Sequence, residues 1–304
     1  MIITILIIFF NIFLLVFPRI VLSAARNGLT LWFSNVLPSL LPFMIATNML
    51  ILLGFVNSAG KAFAPMMRFL FKLPGAAGFG FITGLTSGYP IGAKTVADLK
   101  RKGKLTVREA QHLLAFSNNA GPLFILGAVG IGMFQSSRIG YILWATHILA
   151  AITLGIILRP KEIPLLQNTL KQYVVIKEPI GKILGEAVKN AMESITLIGG
   201  IIIFFSVVVA LIEHLLLPEN VLVSGIFAGF IEVTGGVRRL AAIEPSTFTL
   251  GAAAFAIGFG GFSVHAQSSH FIAGTGIKIF PYLITKFIHG VIAAIYTILL
   301  WHFL

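Results

Sequence analysis

Four short stretches hold the side chains best suited to bind a polar solute, and each is interrupted by glycine or proline. They are Ser87-Gly88-Tyr89-Pro90-Ile91-Gly92, Ser117-Asn118-Asn119-Ala120-Gly121-Pro122, Glu232-Val233-Thr234-Gly235-Gly236 and Gly258-Phe259-Gly260-Gly261-Phe262-Ser263-Val264-His265-Ala266-Gln267. Their chemistry is recognition rather than bond making. Ser87 and Tyr89 offer hydroxyls, while Gly88 and Gly92 let backbone N–H groups approach an anion; the competing reading is a tight turn. Ser117, Asn118 and Asn119 are costly in hydrocarbon unless they face a ligand, an ion or a partner helix. Pro122 at the start of the next half-helix leaves N–H groups aimed into the gap. In the second half, Thr234, Ser263, His265 and Gln267 occupy the matching positions as solute contacts. Glu232 would carry a proton or ligate a coupling sodium, unless it is an exposed hairpin tip beside Arg238 and Arg239. His265 would bind a carboxylate or relay protons, or else simply bond a neighbouring helix. Glu193 and Glu213 read as interfacial. No GxxxxGK[ST], HExxH or GxSxG motif occurs, and without cysteine there is no thiol nucleophile, disulfide or cysteine-ligated zinc. No enzyme, cofactor or metal is expected.

The elements that must position these residues lie in a membrane. Of 304 residues, 57% are hydrophobic and only 11% charged, with a mean hydropathy of +0.98, which excludes a soluble globular domain. The length accommodates about seven crossings at ~20 residues each. An apolar segment at 2–17 ends at Pro18 and Arg19. It is read as a retained helix over a cleaved signal peptide, since no Lys or Arg precedes it. A helix is expected over 29–55, kinked at Pro38 and Pro42, followed by a basic stretch with Lys61, Arg68 and Lys72. Residues 75–92, with six glycines and a proline, are too short and too broken for a span and read as a re-entrant hairpin. A basic loop (94–108), a broken helix (113–134) and a clean helix (139–158) follow. A charged connector at 159–189 includes the amphipathic run 165–176. Then the order recurs: helix 191–217, glycine-rich segment 221–237, broken segment 248–272, last helix 282–303. The expected organisation is an N-terminal transmembrane helix (1–25), a first repeat (26–158), a connector (159–189) and a second repeat (190–304).

Sliding the chain by 145 or 146 residues superposes these orders, Gly84 falling on Gly229 and Phe116-Ser117 on Phe262-Ser263. Paired interrupted segments are the sequence pointer to a transporter's binding site. If each hairpin enters and leaves on one side, each half makes three crossings and the second is inverted. With the N-terminus inside, 17 Lys and Arg fall on inside loops and flanks, Lys286 among them, and 5 outside, as the positive-inside rule expects. The fold class is therefore an all-α membrane protein, an inverted repeat with two re-entrant helical hairpins and two broken transmembrane helices. The +12 net charge follows topology and anionic headgroups of the lipid bilayer, not nucleic acid.

GFITGLTSGYPIGAKTVADL with LLAFSNNAGPLFILGAVGIGMF resembles the Gate, or nucleoside-recognition, group of sporulation membrane proteins. GFGGFSVHAQ is similar to the broken-helix signature of concentrative nucleoside transporters. The likeness covers about 26–303. It implies the inverted-repeat fold and carriage of a small polar solute. For the group's sporulation members it implies dipicolinate leaving the mother cell across the outer forespore membrane. The glutamate-bearing pattern of true nucleoside carriers is absent from the first hairpin, where Ser87-Gly88-Tyr89 stands. Asparagines, hydroxyls and half-helix N-termini suit a dicarboxylate. A nucleoside or nucleobase carrier and a non-transporting sporulation scaffold are the alternatives. Proton or sodium coupling and homo-oligomerisation stay open.

Overall fold

The computed structural model describes residues 2–160, 178–215 and 220–303. Among these residues there are fourteen α-helices, two π-helical stretches and no strand. The clearest sign of the bilayer is the last helix, α14 (Ile279–Phe303). Tyr282, Lys286, His289 and Thr297 are buried, whereas Phe280, Ile284, Phe287, Ile295, Leu299 and Phe303 are exposed. Water would reverse that arrangement; lipid favours it.

Among the described residues, four helices are long and apolar enough to cross a membrane: α8 (Ser137–Ile157), α9 (Ile180–Leu215), the broken pair α12 (Thr247–Phe259) and α13 (Gly261–Ile272), and α14. A bent N-terminal pair would make a fifth. The chain is an integral membrane protein.

The first helix of that pair ends at Pro18 as expected, but the helix after it departs from the expectation. α1 (Ile2–Val16) stops at Phe17, and α2 (Pro18–Leu31) starts at once, the two turning through 104°. Proline disfavours helical backbone in the residue before it, so Phe17 leaves the helix at φ −116° and ψ 50°. Pro18 itself suits a first helical position, so the second helix begins there and not near residue 29. It continues through a π-helical turn, Trp32–Val36, into α3 (Leu37–Leu52). The wide turn, with Leu37 N–H donating to the Trp32 carbonyl, absorbs Pro38, which has no N–H for the regular ladder. Gly28 on α2 comes so close to α9 that a Cβ there would meet Ser206 Oγ at 2.7 Å. Trp32 Nε1 donates to the Ile195 carbonyl at 3.0 Å.

The basic stretch with Lys61 and Arg68 is helical, α4 (Phe55–Phe71). α9 has 36 residues, about 54 Å at 1.5 Å each, so it outruns a bilayer core of ~30 Å and takes in the last ten residues of the expected connector. Residues 161–177, including the whole of the expected amphipathic run, lie outside the described residues.

Candidate functional site: two helix breaks around a buried polar knot

Two assemblies of similar design form the centre. In the first, α5 (Ala77–Ser87) and α6 (Ile91–Arg101) are joined by Gly88-Tyr89-Pro90. This tip packs on the break Asn118–Pro122 between α7 (Val107–Ser117) and the second π-helical stretch, Leu123–Met133. The approach needs glycine. Gly88 sits at φ +83°, and a Cβ there would meet the Gly121 nitrogen at 2.6 Å. A Cβ on Gly84 would run into the Ser117 carbonyl oxygen. In the second assembly, α10 (Val221–Ile231) and α11 (Val233–Ala241) meet at Glu232. Their tip packs on the break between α12 and α13, where a Cβ on Gly261 would lie 3.1 Å from the Val233 nitrogen and 3.2 Å from the carbonyl oxygens of Gly229 and Ile231.

The assemblies touch. A Cβ on Gly260 would lie 3.7 Å from Tyr89 Cε1. Asn118 is the knot: its Nδ2 donates to Ser268 Oγ at 2.9 Å and to the Tyr282 hydroxyl at 2.6 Å. Its Oδ1 accepts from the Ala93 N–H, in the first turn of α6, at 3.1 Å. That backbone donor fixes which way the amide points. The His265 ring stands edge-on to Tyr282, centroids 5.4 Å apart.

The buried stripe of α14 continues the knot. One turn beyond Tyr282, Lys286 Nζ lies 2.7 Å from His289 Nδ1. His289 Nε2 lies 3.1 Å from the His147 carbonyl, and since a carbonyl only accepts, Nε2 carries the hydrogen. In neutral His289, Nδ1 then accepts from Lys286. His147 Nε2 accepts the Ala120 N–H of the first break at 3.0 Å, leaving its Nδ1 to carry the proton. The two imidazoles lie 4.6 Å apart.

Several expected site residues converge here. Asn118 binds across the halves, Tyr89 meets Gly260, and His265 meets Tyr282. Ser87 and Gly88 face Gly121. Others serve their own elements. Asn119 Nδ2 donates to the Phe116 carbonyl at 2.8 Å, and Gln267 Nε2 reaches Ser263 Oγ at 3.5 Å. The N–H groups of Gly92 and Ala93 are already bonded, to the Gly88 carbonyl and to Asn118. Glu232 caps α11, its oxygens accepting from the N–H groups of Thr234 at 2.9 Å and Gly235 at 2.6 Å. Replacing Glu232 with alanine should cost about 1 kcal/mol of stability through the lost cap, read as a lower midpoint of thermal unfolding. Glu213 pairs with Arg239 at 2.6 Å.

Ser268, Tyr282, His147, Lys286 and His289 are absent from the expected set. Lys286 was counted with the inside cations; it is 1% exposed and leaves that tally. The signal was available: Tyr282, Lys286 and His289 recur at helical spacing inside an apolar run, and an ionisable residue there is a site by default. Among the described residues the buried ionisable groups of the knot are Lys286, His147, His265 and His289, with no buried carboxylate. Tyr89 Oη, Ser117 Oγ, Asn119 Oδ1, His147 Nδ1 and both His265 nitrogens are buried without a hydrogen-bond partner among these residues. Such a concentration calls for a ligand or a movement that satisfies it.

Along α6, beyond Ala93, a cavity of about 370 Å³ opens between α3, α6, α9 and α13. Lys94 and Arg101 on its wall share Asp98 at 2.9 and 3.3 Å. Arg101 also donates to the Phe271 carbonyl at 2.7 Å, closing the C-terminal end of α13. Burial lowers the affinity of Lys102 for its proton, although Asp98 opposes this.

Comparison with known proteins agrees with this picture of a membrane protein. Residues 33–159 match the Gate family model, described as nucleoside recognition. The sporulation integral membrane protein YlbJ of Bacillus subtilis (strain 168) is 33% identical over 319 aligned positions, covering 93% of this chain and 78% of the relative. No solved structure matches. The chain belongs to the YlbJ family of sporulation integral membrane proteins.

Proposed function

We propose that the protein is a secondary transporter of a small anionic solute, built as an inverted repeat in which each half supplies one re-entrant hairpin and one broken helix. The observation that carries the anion is the charge of the interior: the buried ionisable groups around the breaks are one lysine and three histidines, without a buried carboxylate among the described residues. An uncompensated buried charge is expensive, so the lysine can carry its proton there only beside an anion, which a cation or a neutral nucleoside does not supply. The cavity along α6 serves as the vestibule, and alternating access is a rocking of one half against the other. Dipicolinate, an aromatic dicarboxylate, is the solute that the family resemblance favours, moving from mother cell toward forespore across the outer forespore membrane.

The test is uptake of labelled dipicolinate by proteoliposomes holding the full chain. Saturable uptake that excess uridine and adenosine leave unchanged is expected. Uptake competed by either nucleoside would favour a nucleoside carrier; equal flux in protein-free liposomes would favour the scaffold. Glu232→Gln should keep the pH profile of the flux, because both carboxylate oxygens are occupied in capping α11; a shifted profile would instead make Glu232 the coupling residue.

A further inference from the structure

We infer that Lys286 is the residue that binds the solute's carboxylate, held by His289 and His147, and that it takes up one proton from solution as the carboxylate arrives. The inference rests on the anion reading above and adds the contact and its proton stoichiometry.

Geometry carries it. Lys286 Nζ is buried and has one hydrogen-bond contact among the described residues, His289 Nδ1 at 2.7 Å. His289 is fixed in turn by the His147 carbonyl at 3.1 Å, and His147 by the Ala120 N–H of the first break at 3.0 Å. This chain ties the amine to the helix break that faces the second half, and holds it at one orientation. An amine has two hydrogens and a lone pair; one hydrogen suffices for His289, so a second donor and the lone pair remain for another group.

The titratable groups within electrostatic reach of Lys286 are His289 on its own helix, His147 on α8 and His265 on α13, with Tyr282 one turn away on the same buried face. None is an anion at neutral pH. Glu232, at the second hairpin tip, is occupied by the α11 cap. A buried ammonium lacks compensation until a carboxylate enters, and a buried carboxylate lacks it until the amine is charged. Each binding event therefore favours the other, and the thermodynamic sum is amine plus proton plus carboxylate giving an ammonium–carboxylate pair. The unpartnered His265 nitrogens and His147 Nδ1 lie along the same interior for a second carboxylate or a ring nitrogen.

The experiment is calorimetric titration of the full chain in nanodiscs with dipicolinate, in two buffers of different ionisation enthalpy, for wild type and Lys286→Met. Wild type should take up about one proton per anion bound, and the variant should bind at least about 30-fold more weakly, the scale of removing one partner of a buried charge pair. Wild-type binding without proton uptake overturns the inference, as does variant binding within about threefold of wild type. No binding by wild type overturns the anion reading along with it, which separates the two failures. Should Lys286→Met not fold, Lys286→Arg, whose guanidinium is charged throughout, decides: it should bind dipicolinate without proton uptake, and uptake of a proton by it would overturn the inference.

Discussion

Asn118→Leu is expected to abolish dipicolinate uptake, reducing it at least about 100-fold, and to lower stability by about 3 kcal/mol or more. The side chain has three partners in three elements: the Ala93 N–H on α6, Ser268 on α13 and Tyr282 on α14. Leucine is close in size but satisfies none of them, and each buried polar group left unpaired costs about 1–3 kcal/mol. The two effects come apart under measurement. Thermal unfolding in detergent reads the stability loss, while flux at a temperature where the variant stays folded reads the site. A variant with normal flux would mean that the asparagine is only a bond between helices.

The second large effect concerns backbone approach. Gly88→Val should prevent assembly of the first hairpin on its break, with loss of folded protein on size-exclusion chromatography. The residue combines φ +83° with a Cβ position 2.6 Å from the Gly121 nitrogen. A β-branched side chain tolerates neither. Gly200→Ala is the matched control: nothing lies within 4 Å of a Cβ there, and α9 should gain up to about 1 kcal/mol from the better helix former. A folded, active Gly88→Val protein would show that the tip does not need its observed contact with Gly121.

These two residues also mark how far the chain could be read unaided. Gly88 and Asn118 stood out because glycine, proline and amides inside apolar runs carry a steep cost in a bilayer, so their presence needs a reason. The helix breaks at 118–122 and 260–261 were legible for that reason. The partners of Asn118 were not. Ser268 and Tyr282 lie 150 and 164 residues away, and nothing local in a serine or a tyrosine near a helix end says which break it will meet. Lys286 misled in a different way. Position alone placed it with the loop cations, since it stands only seven residues into α14. Those seven residues are about 10 Å of helix, enough to carry the amine past the interface, and its neighbours Tyr282 and His289 show by their shared face that it points inward. Pro18 was half legible: that it ends the first helix through its predecessor was read correctly, and that it begins the next one itself was not. Glu232 is the reverse case, an acid in an apolar stretch whose oxygens are engaged by the backbone of its own helix; capping is invisible until the break before it is located.

The account depends on residues from the two halves meeting in one polar knot, and a double-mutant cycle on Asn118 and Tyr282 measures that meeting directly. The unfolding free energies of wild type, Asn118→Leu, Tyr282→Phe and the double variant would be compared in one lipid. Groups in contact show coupling of about 0.5–3 kcal/mol, whereas independent sites add within about 0.3–0.5 kcal/mol. The hydrogen bond of 2.6 Å between them predicts coupling of about 1 kcal/mol or more. Strict additivity would contradict the knot, and with it the single site shared by the two broken helices.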